Sequence, residues 1–156
     1  MTTAKSDELQ FRQASAGDLP AIVALLADDE FGRVRNPHYD DARSDYDAAF
    51  AEMTGNDNHV VVAESGGRLV GCYQLTVIRG LSHRGAARAQ IESVRVASDR
   101  RGKGLGRQLM QDAIRRARER GANLVQLTTD TRRPDTRRFY ERLGFAASHH
   151  GMKLRL

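Results

Sequence analysis

A single cysteine, Cys72, stands among 156 residues. No internal disulfide can brace such a chain, and the apolar run "RLVGCYQLTVI" around Cys72 reads as core rather than as the setting of a nucleophile. Only three prolines occur, with no Ser- or Pro-rich linker, and 40% of residues are hydrophobic; one compact domain over residues 1–156 is expected. No apolar run approaches the ~18 residues of a membrane span. The opening "MTTAKSDELQ" lacks the apolar region of a signal peptide, so the expectation is a cytoplasmic protein with no membrane partner. No pair of histidines shows metal-ligand spacing with a carboxylate, and no metal site is expected. Aromatics are scarce where cationic charge is densest. Residues 84–156 hold only Phe139, Tyr140 and Phe145, in one cluster, which offers no stacking platform for bases and argues against a nucleic-acid partner.

What the chain does have is polarised charge. Residues 1–83 carry 7 Lys/Arg against 13 Asp/Glu, a net −6, whereas residues 84–156 carry 18 against 7, a net +11. The second half suits an anion, either nucleic acid or a phosphorylated cofactor.

Hydrophobic spacing predicts a strand at "LQFRQA" (9–14), a helix from Asp18 through Ala27 with Pro20 in its first turn, and an acidic loop before a second helix ending near Thr54. "HVVVAES" and "RLVGCYQLTVI" read as a hairpin about Gly66-Gly67. "ARAQIESVRVAS" is a further strand. From Gly104 to Arg120, Leu105, Leu109, Met110, Ala113, Ile114 and Ala117 form one helical face, stopped by Gly121. Then follow strand "LVQLTT", helix "DTRRFYERLG" and two short strands flanking Gly151. Alternating strands and helices predict an α/β or α+β fold with a mixed sheet.

Two local features point to a ligand. In "RRGKGLGRQLM" three glycines occupy alternate positions between a strand and a helix, where the helix's first N–H groups lack partners and its dipole favours an anion. Arg100, Arg101, Lys103 and Arg107 add formal charge. The spacing is neither the P-loop nor the dinucleotide fingerprint. In the preceding strand, apolar residues fall at Ala89 and Ile91 but then at Val94 and Val96, a slip of one near Glu92 and Ser93 that a β-bulge would absorb.

The stretch "IESVRVASDRRGKGLGRQLM" resembles the cofactor-binding core of the GNAT N-acetyltransferases, whose signature Arg/Gln-x-x-Gly-x-Gly/Ala follows a bulged strand and falls here on Arg101, Gly104 and Gly106. "TRRFYERLGF" is similar to the family's C-terminal helix and the strand after it, so the resemblance covers roughly residues 9–156. It implies a mixed, mostly antiparallel sheet of about six to seven strands, with a central bulged strand and helices on both faces. It also implies acetyl-CoA as co-substrate, its pyrophosphate held around Arg101, Gly102, Lys103, Gly104, Leu105, Gly106 and Arg107. The pantetheine arm would pair along Val94, Arg95 and Val96, with Arg137 or Arg133 near a CoA phosphate. Arg133 stands where many members carry asparagine.

Acetyl transfer to an amine requires a free lone pair, which costs about 4 kcal/mol for an alkyl amine of pKa about 10.4 at neutral pH. The resemblance assigns Glu92 as the base, acting through water, and Tyr140 as the acid that protonates the departing thiolate. An N–H at the bulge, that of Val94, would stabilise the developing oxyanion. The resemblance also puts the acidic loop and residues near 79–88 around the acceptor. "LTTDTRRPDTRRFYERLGFAASH" is locally similar to aminoalkylphosphonate acetyltransferases, which makes Arg79, Arg84 and Arg88 candidates for an anionic group on a small primary amine. A protein N-terminus or lysine as acceptor is the alternative, followed by a non-catalytic CoA-binding or a nucleic-acid-binding module. Whether the chain forms a homodimer stays open.

Overall fold

The structure is a computed structural model that describes residues 8–156. Most of the segment read for a leader therefore lies outside the described residues. The chain divides into two compact units, one running to Gln126 and the other from Leu127 to Leu156.

In the first unit, strands β1 (Gln10–Gln13), β2 (Asn58–Ser65), β3 (Arg68–Ile78), β4 (Ala87–Val96) and β5 (Ala122–Gln126) form one sheet in that order. The first four are antiparallel, and β5 runs parallel to β4. Its helices are α1 (Leu19–Leu26), α2 (Glu30–Arg35), α3 (Arg43–Met53), the single turn α4 (Ser82–Gly85) and α5 (Leu105–Glu119). The hairpin forms where the two glycines stand, with Gly66 at φ 58 and Gly67 at φ 80, the left-handed pair that matches strand twist.

Successive side chains on a strand point to opposite faces, and β3 shows which helix covers which. Cys72 joins Val62, Ala97 and the α1 residues Ile22 and Leu25 in one core cluster. Its neighbour Tyr73 turns the other way and donates its hydroxyl to Asp112 of α5 at 2.6 Å. Gly71 permits that helix to come close, because a Cβ there would lie 3.0 Å from the Leu109 side chain.

Asp112 interrupts the apolar face of α5, yet it is buried. Burial alone would raise its pKa, but hydrogen bonds from Tyr73, Arg116 and Arg115 outweigh that and hold the carboxyl below its ordinary value. Arg116 reaches it through Nε at 2.7 Å and also donates to the Phe11 carbonyl at 3.3 Å, tying α5 to β1. A second clamp starts from the next residue of β1. Arg12 donates to Asp18 at 2.7 Å and to Glu64 at 3.0 Å, which joins β1, β2 and the start of α1.

The second unit contains helix α6 (Pro134–Arg142). Here the expected strand count falls short: five strands form among the described residues, and residues 145–156 carry no regular structure. Met152, Leu154 and Leu156 do alternate as a strand would, but a strand exists only with a partner ladder, and all three are exposed. The acidic loop is also more ordered than its composition suggests, since α2 and a 3-10 turn at Tyr39–Asp41 lie within it. No helix among the described residues is long and apolar enough to cross a membrane.

These clamps set the acid sensitivity. Hydrogen bonds from Arg12, opposed by burial, hold Asp18 down at about 2, and Asp112 is lowered as well. A depressed carboxyl stabilises the fold fully above its unfolded value of about 3.9 and loses that contribution as pH falls. Denaturant midpoints should therefore be insensitive to these two groups above about pH 4 and decline from there through about 2. Asp112→Ala, which strands two arginines and a tyrosine hydroxyl, should cost about 3–5 kcal/mol, against about 1 kcal/mol for Tyr73→Phe.

Candidate functional site

The slip in strand parity is a bulge. In the β3–β4 ladder Cys72 faces Arg95 and Gln74 faces Glu92, so Ser93 and Val94 share Tyr73 as their one opposite residue. Ser93 takes φ +54, a left-handed conformation that is costly for a residue with a Cβ. The parallel ladder to β5 stops just before this point, since Ala87 to Gln90 pair with Ala122 to Gln126 and nothing beyond does. From Ile91 onward β4 therefore presents to that side an edge that β5 does not cover.

After β4 a 3-10 turn at Ser98–Arg100 leads into the glycine turn. Gly102 and Gly104 sit at φ 72 and 82, and a Cβ at either would meet nothing within 4 Å. Gly104 caps α5 without a side-chain hydrogen bond. The first returning amide is that of Gln108, which donates to the Gly104 carbonyl at 3.2 Å, so the N–H groups of Leu105, Gly106 and Arg107 precede any intrahelical acceptor. The turn is open and electropositive, an arrangement able to receive an anion.

The cationic side chains around it are not equivalent. Arg101 donates to the Val96 carbonyl at 3.2 Å and to the Asp28 carbonyl at 2.6 Å, bolting the turn to the end of β4 and to the loop after α1. Lys103 donates to the Asp99 carbonyl at 3.0 Å. Arg107 is exposed and, among the described residues, makes no ion pair or side-chain hydrogen bond.

Glu92 is exposed on the face that also carries Gln74 and Thr76. No arginine pairs with it among the described residues. The face around it is polar: Gln74 and Thr76 each donate to Asn58 Oδ1 at 3.0 Å, and Gln126 donates to Gln90 at 2.8 Å. A cleft of about 160 Å³ opens beside Asn58, lined by Phe50, Met53 and Val60 among others. Cys72 is inert, because burial pushes its thiol up to about 12. Among the described residues no cluster could hold a metal ion.

Of the three arginines considered for an anionic acceptor, Arg79 is spent on Asp57 at 3.1 Å. Arg84 lies in a turn where it, His83 and Gly85 all have positive φ. Arg88 is exposed on the Glu92 face, paired with Ile78 in the ladder. Sequence reasoning missed Arg95 as a side chain. It is half-buried beside the bulge, and its Nε is buried without a hydrogen-bond partner.

In the second unit, Tyr140 packs edge-on against Phe139 and Phe145, with ring centroids 5.1 and 5.8 Å apart. Arg137, one turn before it on α6, donates to Glu141 at 2.8 Å.

A family model described as Acetyltransferase (GNAT) family matches residues 19–145. Among curated proteins, the chain is 29% identical over 140 residues to an aminoalkylphosphonate N-acetyltransferase of Salmonella typhimurium, covering 90% of this chain and 86% of that protein. It is 36% identical over 90 residues to a glucosamine 6-phosphate N-acetyltransferase of Trypanosoma brucei brucei, covering 58% and 59%. Among solved structures, a transcriptional regulator from Bacillus halodurans is 45% identical with a TM-score of 0.91, covering 96% of this chain and 100% of that one.

The bulge geometry can be tested without any ligand. Ser93→Gly relieves the left-handed strain and should leave stability unchanged or raise it by up to about 1 kcal/mol, whereas Ser93→Val should lower it by about 1–2 kcal/mol. Denaturant unfolding of the two variants would show the opposite signs; equal losses would mean that the bulge is not held as described.

Proposed function

The chain belongs to the acetyltransferase (GNAT) family, and we propose that it moves the acetyl group of acetyl-CoA onto the primary amine of a small molecule, the amine attacking the thioester directly. The reading rests on one observation above all. The β4 edge that β5 leaves uncovered leads, through a 3-10 turn at Ser98–Arg100 and the glycine turn, to the uncapped N-terminus of α5. A pantetheine arm carries amides that suit an open strand edge, and a pyrophosphate suits a helix N-terminus.

In this reading the amides of Gly102, Lys103, Gly104, Leu105, Gly106 and Arg107 hold the pyrophosphate, with Arg107 adding a free charge, and Val94, Arg95 and Val96 offer their backbone to the arm. Arg101 joins the residues around the pyrophosphate, its Nε and Nη2 also holding the turn in place. Arg137 serves a CoA phosphate. Acetyl-CoA supplies the activated acyl group. Glu92 draws the proton from the amine through water, the Val94 N–H steadies charge on the reacting carbonyl oxygen, and Tyr140 gives a proton to the leaving sulfur. We also take residues 1–156 to be one transferase domain, since the family match runs across both units.

Both curated relatives are named for small acceptors that join an amine to a phosphorus oxyanion, which supports a small-molecule amine here. Thiol release with acetyl-CoA against aminoalkylphosphonates, amino acids and peptides tests the reading. Small amines should be acetylated with the higher kcat/KM. A strong preference for peptide N-termini would move the acceptor to protein, and tight duplex binding at physiological salt without acetyl-CoA binding would replace the enzyme reading altogether.

Three variants divide the roles. Gly104→Val should weaken acetyl-CoA binding at least about tenfold by obstructing the cradle, while the left-handed strain costs about 1–2 kcal/mol of stability. Glu92→Gln should lower kcat about 10²-fold or more, most severely at low pH. Tyr140→Phe should slow turnover about tenfold or more and leave the acetyl-CoA Kd within a few-fold. Calorimetry and pre-steady-state rates across pH measure these. A folded Gly104→Val protein of unchanged affinity contradicts the cradle, and unchanged rates in the other two contradict the proton-transfer assignments.

A further inference from the structure

We infer that the acceptor is a zwitterionic amine and that Arg95 selects it, its guanidinium receiving the acceptor's anionic group while Glu92 faces the ammonium. This deepens the transfer reading above and rests on it.

The bulge creates the arrangement. Cys72 and Gln74 lie two apart on β3 and so share a face, and their partners across the ladder are Arg95 and Glu92. Without the extra residue, positions 92 and 95 would fall on opposite faces. With it, a cation and an anion stand on one face in adjacent rows, about 7 Å apart along the strand. Opposite charges so placed would ordinarily find each other, yet among the described residues neither makes an ion pair.

Arg95 also lacks what a half-buried guanidinium requires. Its Nη1 donates to the Val94 carbonyl at 3.0 Å, but its Nε is buried with no acceptor. A buried donor left in that state is costly. An oxyanion of a phosphonate, phosphate or carboxylate supplies the missing acceptor through a charge-assisted hydrogen bond.

The alternatives fit less well. Arg79 is neutralised by Asp57. Arg88 lies two rows beyond Glu92 in the other direction, about 13 Å along the strand, farther than the amine-to-anion span of an acceptor of a few carbons. An anionic group close to Glu92 would be repelled unless a cation sat beside it, and Arg95 is the cation one row away. A zwitterion with its charges two or three bonds apart satisfies both residues at once, whereas a neutral-bodied amine leaves the Nε unserved.

The test compares aminomethylphosphonate with ethylamine as acceptors for the wild-type protein, Arg95→Gln and Arg95→Lys, under saturating acetyl-CoA. The wild type should prefer the phosphonate, Arg95→Gln should reduce that kcat/KM ratio about tenfold or more, chiefly through the KM of the phosphonate, and Arg95→Lys should restore part of it. Methylphosphonate should compete with aminomethylphosphonate in the wild type, a readout that needs no variant should Arg95→Gln fail to fold. If the wild type acetylates amines but shows no preference for the phosphonate, or Arg95→Gln keeps the ratio, or methylphosphonate does not compete, this inference is overturned and the transfer reading survives. If the wild type neither binds acetyl-CoA nor releases thiol with any amine, the transfer reading fails and the inference falls with it.

Discussion

Because Ser93 and Val94 share a single partner across the ladder, β4 changes its facing partway along its length. Before the bulge, Ala87, Ala89 and Ile91 are buried and Arg88 and Glu92 are exposed. After it, Arg95 returns to the face of Glu92. β5 parts from β4 just ahead of this point. The parting opens the strand edge, the facing change sets Arg95 beside Glu92, and the strand ends five residues before Arg101 begins the glycine turn. The open edge and the pairing of facing between Glu92 and Arg95 thus lie along one stretch of β4, and one extra residue sets that facing.

That residue would achieve little if the helix behind it could drift. Tyr73, which stands opposite the bulge, is bonded to Asp112 at 2.6 Å, and Asp112 lies two turns along the helix whose N-terminus forms the cradle. Arg116 carries the same network to β1. On the other side, Arg101 ties the turn to Val96 and to Asp28. Bulge and cradle are therefore fixed to a common frame, and the left-handed strain at Ser93 is held by surroundings that over-determine it.

Much of this was legible in the chain. Parity alone located the bulge, because Ala89 and Ile91 break step with Val94 and Val96. Glycine spacing located the open turn before α5, and Gly66-Gly67 the hairpin. What sequence reasoning missed lay in distant pairings. Asp112 looks like an error in an apolar stripe until Tyr73, 39 residues earlier, is seen to meet it. The bond from Arg101 to the Asp28 carbonyl spans 73 residues and has no local signature. The orphaned Nε of Arg95 has no signature in sequence. The expected strands about Gly151 failed for the opposite reason: Met152, Leu154 and Leu156 supplied the local pattern, but no ladder took it up.

The central claim is that one continuous stretch of backbone, from the bulge to the first turn of α5, receives acetyl-CoA. Amide hydrogen exchange with and without acetyl-CoA tests it most directly. The account predicts new protection concentrated between Val94 and Arg107, with little change in β1 and β2. Protection that spares this stretch, or none at acetyl-CoA concentrations that saturate turnover, would contradict it.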